Sequence, residues 1–170
     1  MLEVIIAILT ITAFLTGTLQ LMAVDALYKV RSERQAQANF WIQEDFEDVK
    51  YLASALNVKS EPANPNVSAD VCTGTEGYAT ALRRELTDTP VPNPIPTDPQ
   101  LVENREIVGK NYSLFRTFNI TNQSANPHRL RIDYRVQLAQ GETANDYRNQ
   151  ENVIATSSVE VIPDASFECP

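Results

Sequence analysis

The chain has 170 residues, with 14 basic against 22 acidic side chains and a net charge of -8, so it is one domain's worth of protein with no basic surplus for gripping phosphate backbones. One histidine (His128) and two cysteines (Cys72, Cys169) are too few for a zinc site without heavy use of carboxylates. No glycine-rich phosphate cradle, nucleophile elbow or zincin motif occurs, and no sequence signal asks for a catalytic site, a metal, a cofactor or a small-molecule substrate.

Val4 to Val24, VIIAILTITAFLTGTLQLMAV, is 21 residues without a charge, followed by a polar, acidic body rich in Asn, Pro and Thr. As a helix this run reaches roughly 30 Å, the thickness of a bilayer's hydrocarbon core. A cleaved secretory signal competes with that reading, but Met1-Leu2-Glu3 supplies no basic start, and the small-x-small pattern Thr16-Gly17-Thr18 lies inside the run. Residues 1–24 are therefore expected to be a transmembrane helix. Lys29, Arg31 and Arg34 follow the span and by charge would hold the body in the cytoplasm. The cysteine pair argues for an oxidising compartment, and export is the favoured reading.

From Asp25 to Leu56 there is no Pro or Gly, and Ile42, Phe46, Val49, Ala53 and Leu56 recur at helical steps. The spacing predicts that residues 25–56 continue the rod as an amphipathic helix into a globular domain spanning 57–170, with Gly17 as the weak point of the rod. Trp41, Phe40 and Phe46 are expected in the helix-to-sheet core. Pro62 and Pro65 end the helix, and Asn57 to Asp70 reads as loop. Tyr78 to Leu86 reads as a short helix with Ala79, Leu82 and Leu86 on one face. Thr87 to Pro99 carries five prolines in thirteen residues and reads as a rigid, exposed connector.

In the C-terminal half the period becomes two. Arg129 to Leu138 places Leu130, Ile132, Tyr134, Val136 and Leu138 on one side and Arg129, Arg131, Asp133, Arg135 and Gln137 on the other, the pattern of a half-buried antiparallel strand. Tyr112 to Thr121 and Val153 to Ile162 are its expected neighbours, joined by turns at Asn122 to Pro127 and Gln140 to Gln150. The fold class expected is α+β, a long N-terminal helix packed on a small antiparallel sheet. Cys72 and Cys169 either form a disulfide closing a loop of roughly 100 residues or are two buried free thiols of a cytosolic protein.

Arg129, Arg131 and Arg135, with Arg116 beside them, suggest a basic stripe: a solvated face by default, or a patch for DNA or an acidic neighbour. Asp88, Asp98 and Glu103 match no EF-hand spacing, His128 has no nucleophile to serve, and the four Asn-x-Ser/Thr triplets carry little weight in so Asn-rich a chain. Glu3 is different. It stands just ahead of the uncharged run, where it either sits at headgroup level or meets a positive charge inside an assembly.

Met1-Leu2-Glu3-Val4-Ile5-Ile6-Ala7-Ile8-Leu9 resembles the processed start of type IV pilins and type II secretion pseudopilins, most of all PilV-type minor pilins, in which Glu and a long apolar helix follow Phe-Thr-Leu and an apolar residue. The resemblance covers roughly the first 50 residues and beyond Leu56 is only architectural. The basic leader, the Gly before the processing point and the Phe-Thr are missing, and the expectation is a start codon assigned inside the reading frame. The resemblance implies a structural subunit held in the inner membrane before assembly, then packed through its N-terminal helix against other pilin subunits by a pilus assembly platform. Glu3 would pair with a neighbour's N-terminal amine. The resemblance leaves open pilus against secretion pseudopilus; the alternatives are a module at the filament's tip or surface that binds DNA or a surface ligand, and a stand-alone single-span anchored periplasmic protein.

Overall fold

The computed structural model describes residues 2–56, 64–74, 76–147 and 150–169. Met1, the expected stop at Pro62, the first part of the expected loop after the helix and two residues of the 140–150 turn lie outside the described residues.

Helix α1 runs Leu2–Ala55, 54 residues without a break, passing through Gly17. Its buried positions are Arg34, Ala38, Trp41, Ile42, Asp45, Val49 and Ala53, one face of a helix read at steps of three and four. That face lies on a four-stranded antiparallel sheet in simple meander order, formed by β1 (Gln100–Ile107), β2 (Lys110–Asn119), β3 (Leu130–Leu138) and β4 (Val153–Val161). The layout is α+β and pilin-like, as the sequence predicts. Strand β3 buries Leu130, Ile132, Tyr134 and Val136 and turns its charged residues outward. The neighbouring strands are those expected, with β2 shifted two residues towards the N-terminus.

Strand β1 is an addition to the sequence reading. It pairs only with β2, carries a bulge between Leu101 and Glu103, and buries little besides Ile107. The β1–β2 turn needs left-handed backbone at both Val108 (φ 44°) and Gly109 (φ 74°). Gly109 adopts it freely, whereas a β-branched residue does not. The Val108 carbonyl is held by the Arg34 guanidinium, 2.9 Å away, which helps to fix the turn.

Helix α2 (Tyr78–Thr87) contributes Ala79, Ala81 and Leu82 to the same core. Its start presses against the β2–β3 loop: a Cβ at Gly77 would overlap the Pro127 carbonyl oxygen, which accepts the Ala79 N–H at 3.0 Å. The Tyr78 N–H donates to His128 Nδ1 at 3.3 Å, so the single histidine is a half-buried partner of a helix N-terminus. Beyond β4 a 3₁₀ turn (Asp164–Glu168) leads to Cys169, which is disulfide-bonded to Cys72, 97 positions earlier. The segment before α2 and the chain's last turn are thereby one unit.

Candidate functional site

Helix α1 is two objects. No residue of the stretch 2–33 is buried, and Val4, Ile5, Ile8, Leu9, Ile11, Phe14, Leu15, Leu19 and Met22 are all exposed. This bare shaft is roughly 48 Å long at ~1.5 Å per residue. It is a helix long and apolar enough to cross a membrane. Its threonines do not spoil that surface, because their hydroxyls donate to carbonyls of the preceding turn: Thr10 to Ile6 at 3.0 Å, Thr12 to Ile8 at 2.7 Å, Thr16 to Thr12 at 2.7 Å and Thr18 to Leu15 at 2.9 Å. Glu3 is exposed in the first turn, with no ion-pair partner among the described residues.

The second object, from Arg34 onward, is clamped to the domain by charge as well as by packing. Asp45, on the buried face of α1, receives Arg116 of β2 in a two-pronged pair, Nε to Oδ2 at 2.7 Å and Nη2 to Oδ1. Both groups are deeply buried, the side chains 7% and 13% exposed. Burial alone would lower the Arg116 guanidinium; the hydrogen bonds and charge of Asp45 outweigh it and raise it. The Tyr134 hydroxyl nearby is pushed far above its ordinary value by burial and then by the Asp45 charge.

One turn before Asp45, Trp41 is 2% exposed, with the Arg105 guanidinium 4.9 Å above its ring. Arg105 also pairs with Glu44 at 2.8 Å. At the start of the clamp, Arg34 reaches Asp146 at 2.6 Å in the β3–β4 loop, and Lys110 reaches the other oxygen of Asp146 at 3.0 Å. Desolvation works to raise the Asp146 carboxyl, but hydrogen bonds from Lys110 and Arg34 hold it below the ordinary carboxylate range. Arg31 adds an exposed pair with Glu151 at 3.6 Å.

No family model, curated protein or solved structure matches this chain. Its possible role rests on the residues themselves.

The sequence-predicted site residues divide accordingly. Glu3 stands alone at the shaft's tip. Arg129, Arg131 and Arg135 do share the exposed face of β3, but Arg129 pairs with Glu160 at 3.3 Å and Arg131 with Asp133 at 3.2 Å, so the stripe is largely neutralised within the sheet. Arg116 is not beside them. It lies on the opposite, core-facing side of the sheet because Asp45 waits there. Phe40 is not core either: it is 68% exposed, whereas Trp41 and Phe46 do pack inward. Asp88, Asp98 and Glu103 are not drawn together, and no group of metal-ligating side chains forms among the described residues.

The clamp residues Arg34, Asp45 and Arg105 were not singled out as a unit by sequence reasoning. The available signal was the presence of Arg34 and Asp45 on the same helical stripe as Ala38, Val49 and Ala53, where a charge demands a distant partner.

Proposed function

We propose that this chain is a structural, non-enzymatic filament subunit of the type IV pilin or pseudopilin kind, a minor pilin in character. In this reading the bare shaft holds the subunit in the inner membrane with the C-terminal domain outside. An assembly platform then moves it into a bundle of like shafts belonging to other pilin subunits. The observation that carries the reading is the uncharged stretch 4–24, which extends from a folded, disulfide-bonded domain with none of its residues buried in its own chain. Such a surface is stable only in lipid or against other apolar helices.

Two further features support it. Arg31 and Arg34 look like charges that would keep the domain in the cytoplasm, yet both pair with acidic residues of the domain, leaving Lys29 as the only cation of the three without such a pair among the described residues. Glu3, at the tip of the shaft, is an acid for which a neighbour's positive charge would be the natural partner. In a bundle one such buried pair sets axial register, as a single polar position does in a coiled coil.

The test is the substitution Glu3→Ala. The subunit is expected to stay in the membrane fraction and to fall sharply in the sheared filament fraction. Wild-type incorporation would remove Glu3 from the register role. Cysteines placed along the shaft that never crosslink to another pilin would overturn the assembly reading as a whole.

A further inference from the structure

A groove of about 640 Å³ runs between α2 and the proline-rich connector, walled by Thr80, Arg83, Pro94, Ile95, Thr97 and Ile120. Two adjacent arginines of α2 border it, in opposite circumstances. Arg84 is fully engaged: Nη1 donates to the carbonyls of Asn93 at 2.7 Å and Thr89 at 3.3 Å, and Nη2 meets the Glu76 carboxylate at 3.4 Å. These bonds pin the connector to the helix.

Arg83 is only 6% exposed and has far less. Its Nη2 reaches the Pro96 carbonyl at the limiting distance of 3.5 Å, and its guanidinium lies 5.7 Å from the centre of the Phe118 ring. Its Nε is buried and makes no hydrogen bond. No carboxylate among the described residues is within ion-pair distance. Burial lowers the guanidinium's proton affinity, the neighbouring Arg84 lowers it further, and Glu76, already shared with Arg84, only partly opposes them.

Among the described residues, no other buried arginine is held that way. Arg34 has Asp146, and Arg116 has Asp45; even half-exposed Arg105 has Glu44. Arg83 is the exception, and it borders an open groove. A desolvated cation with only neutral partners is held at a cost that an incoming anion would remove.

We infer that this groove is a binding site for a carboxylate, with Arg83 as its counter-ion. A single unpaired guanidinium matches a planar, singly charged group, which it can engage with two parallel N–H donors. A phosphate dianion would be left with one charge uncompensated. Pro94, Ile95 and Ile120 give the rest of the ligand an apolar wall. The carboxylate comes either from a free organic acid or from an acidic side chain of a protein segment laid along the connector.

The full-length chain in uncharged detergent micelles, isotopically labelled, is titrated with sodium acetate, with sodium chloride at matched ionic strength, and with a capped Gly-Asp-Gly peptide, following the arginine Nε–H resonances. A saturable shift of the Arg83 resonance is expected with acetate and not with chloride, and Arg83→Gln is expected to abolish the binding. Peptide binding tighter than acetate assigns the site to a protein segment; equal or weaker peptide binding assigns it to a free acid. Should Arg83→Gln fail to fold, Thr97→Glu supplies a carboxylate from the groove wall and is expected to weaken acetate at least tenfold. The inference is overturned by equal responses to acetate and chloride, by no response in the wild type, or by a Thr97→Glu variant that binds acetate as the parent does. None of these results bears on filament assembly, which is read at Glu3 and the shaft.

Discussion

Replacing Asp45 by alanine deletes the acid of the Asp45–Arg116 pair and leaves a guanidinium, its side chain 13% exposed, facing the core with no counter-ion. Removing one member of a buried pair costs about 3–5 kcal/mol, most of it the desolvation of the stranded charge. Arg116 loses two hydrogen bonds at once, and the Tyr134 hydroxyl opposite it on β3 is the acceptor left to it, which holds the cost within that range. Asp45→Ala together with Arg116→Met removes both charges, so the double variant is expected to recover most of the loss. The chain's one tryptophan, Trp41, lies one turn away and is buried between helix and sheet, so its fluorescence during urea unfolding of the micelle-bound protein reports this region directly. A loss below ~1 kcal/mol for Asp45→Ala, or a double variant as unstable as the two single losses added, would refute the argument that stranded charge is the dominant cost.

Cys72→Ser with Cys169→Ser is expected to lower stability by up to about 4.7 kcal/mol on the chain-entropy account of a loop of roughly 100 residues, measured by the same unfolding. Because the Asp146 carboxyl sits below its unfolded value, its contribution is full above about pH 4 and is lost as the pH falls through the folded value; acid titration of the Asp146→Asn variant should show a flatter decline than the parent. Inserting two alanines after Gly17 turns the shaft's tip by roughly 200° relative to the domain, whereas four turn it by only about 40°. The first insertion is expected to abolish filament incorporation and the second to preserve most of it, read from sheared fractions.

Elements whose cause is local were legible in the sequence, and those whose cause is distant were not. The shaft announces itself by the absence of charge, and β3 by unbroken alternation, because every second residue of it is a buried aliphatic or aromatic side chain. Strand β1 has no such signature. As an edge strand it buries its inner residues Gln100, Val102 and Arg105 only in part, and the bulge shifts the alternation midway, so QLVENREI carries no steady period to detect. Arg116 was misplaced because alternation gives two faces but not which of them holds a counter-charge, and Asp45 is 71 positions away in the chain. Phe40 falls beside the stripe of Ala38, Trp41 and Ile42, and hydrophobicity alone does not decide between adjacent positions. Of the proposed assembly machinery, Glu3 was visible from its unusual neighbourhood. The Arg83 groove was not, since its distinguishing feature is a missing partner, which only three dimensions disclose.

The clamp also has a consequence at a distance. Charged contacts at Arg34, Glu44 and Asp45 fix not only where α1 lies on the sheet but how far it is rotated about its own axis. A straight α-helix turns ~100° per residue, and the 31 steps from Arg34 back to Glu3 leave the acid roughly 140° around from Arg34 and roughly 100° from the centre of the stripe that faces the domain. Glu3 thus lies on a flank of the rod, off the face that the domain covers. In the proposed bundle of like shafts, a flank beside the domain's side is where an acid would meet a neighbouring shaft. The same electrostatics that hold the domain to the helix would then aim the tip, so weakening Asp45 or Arg34 would blur the orientation of a residue about 45 Å or more away without touching it. On the proposed reading, the domain's ion pairs would set the angle at which the shaft presents Glu3.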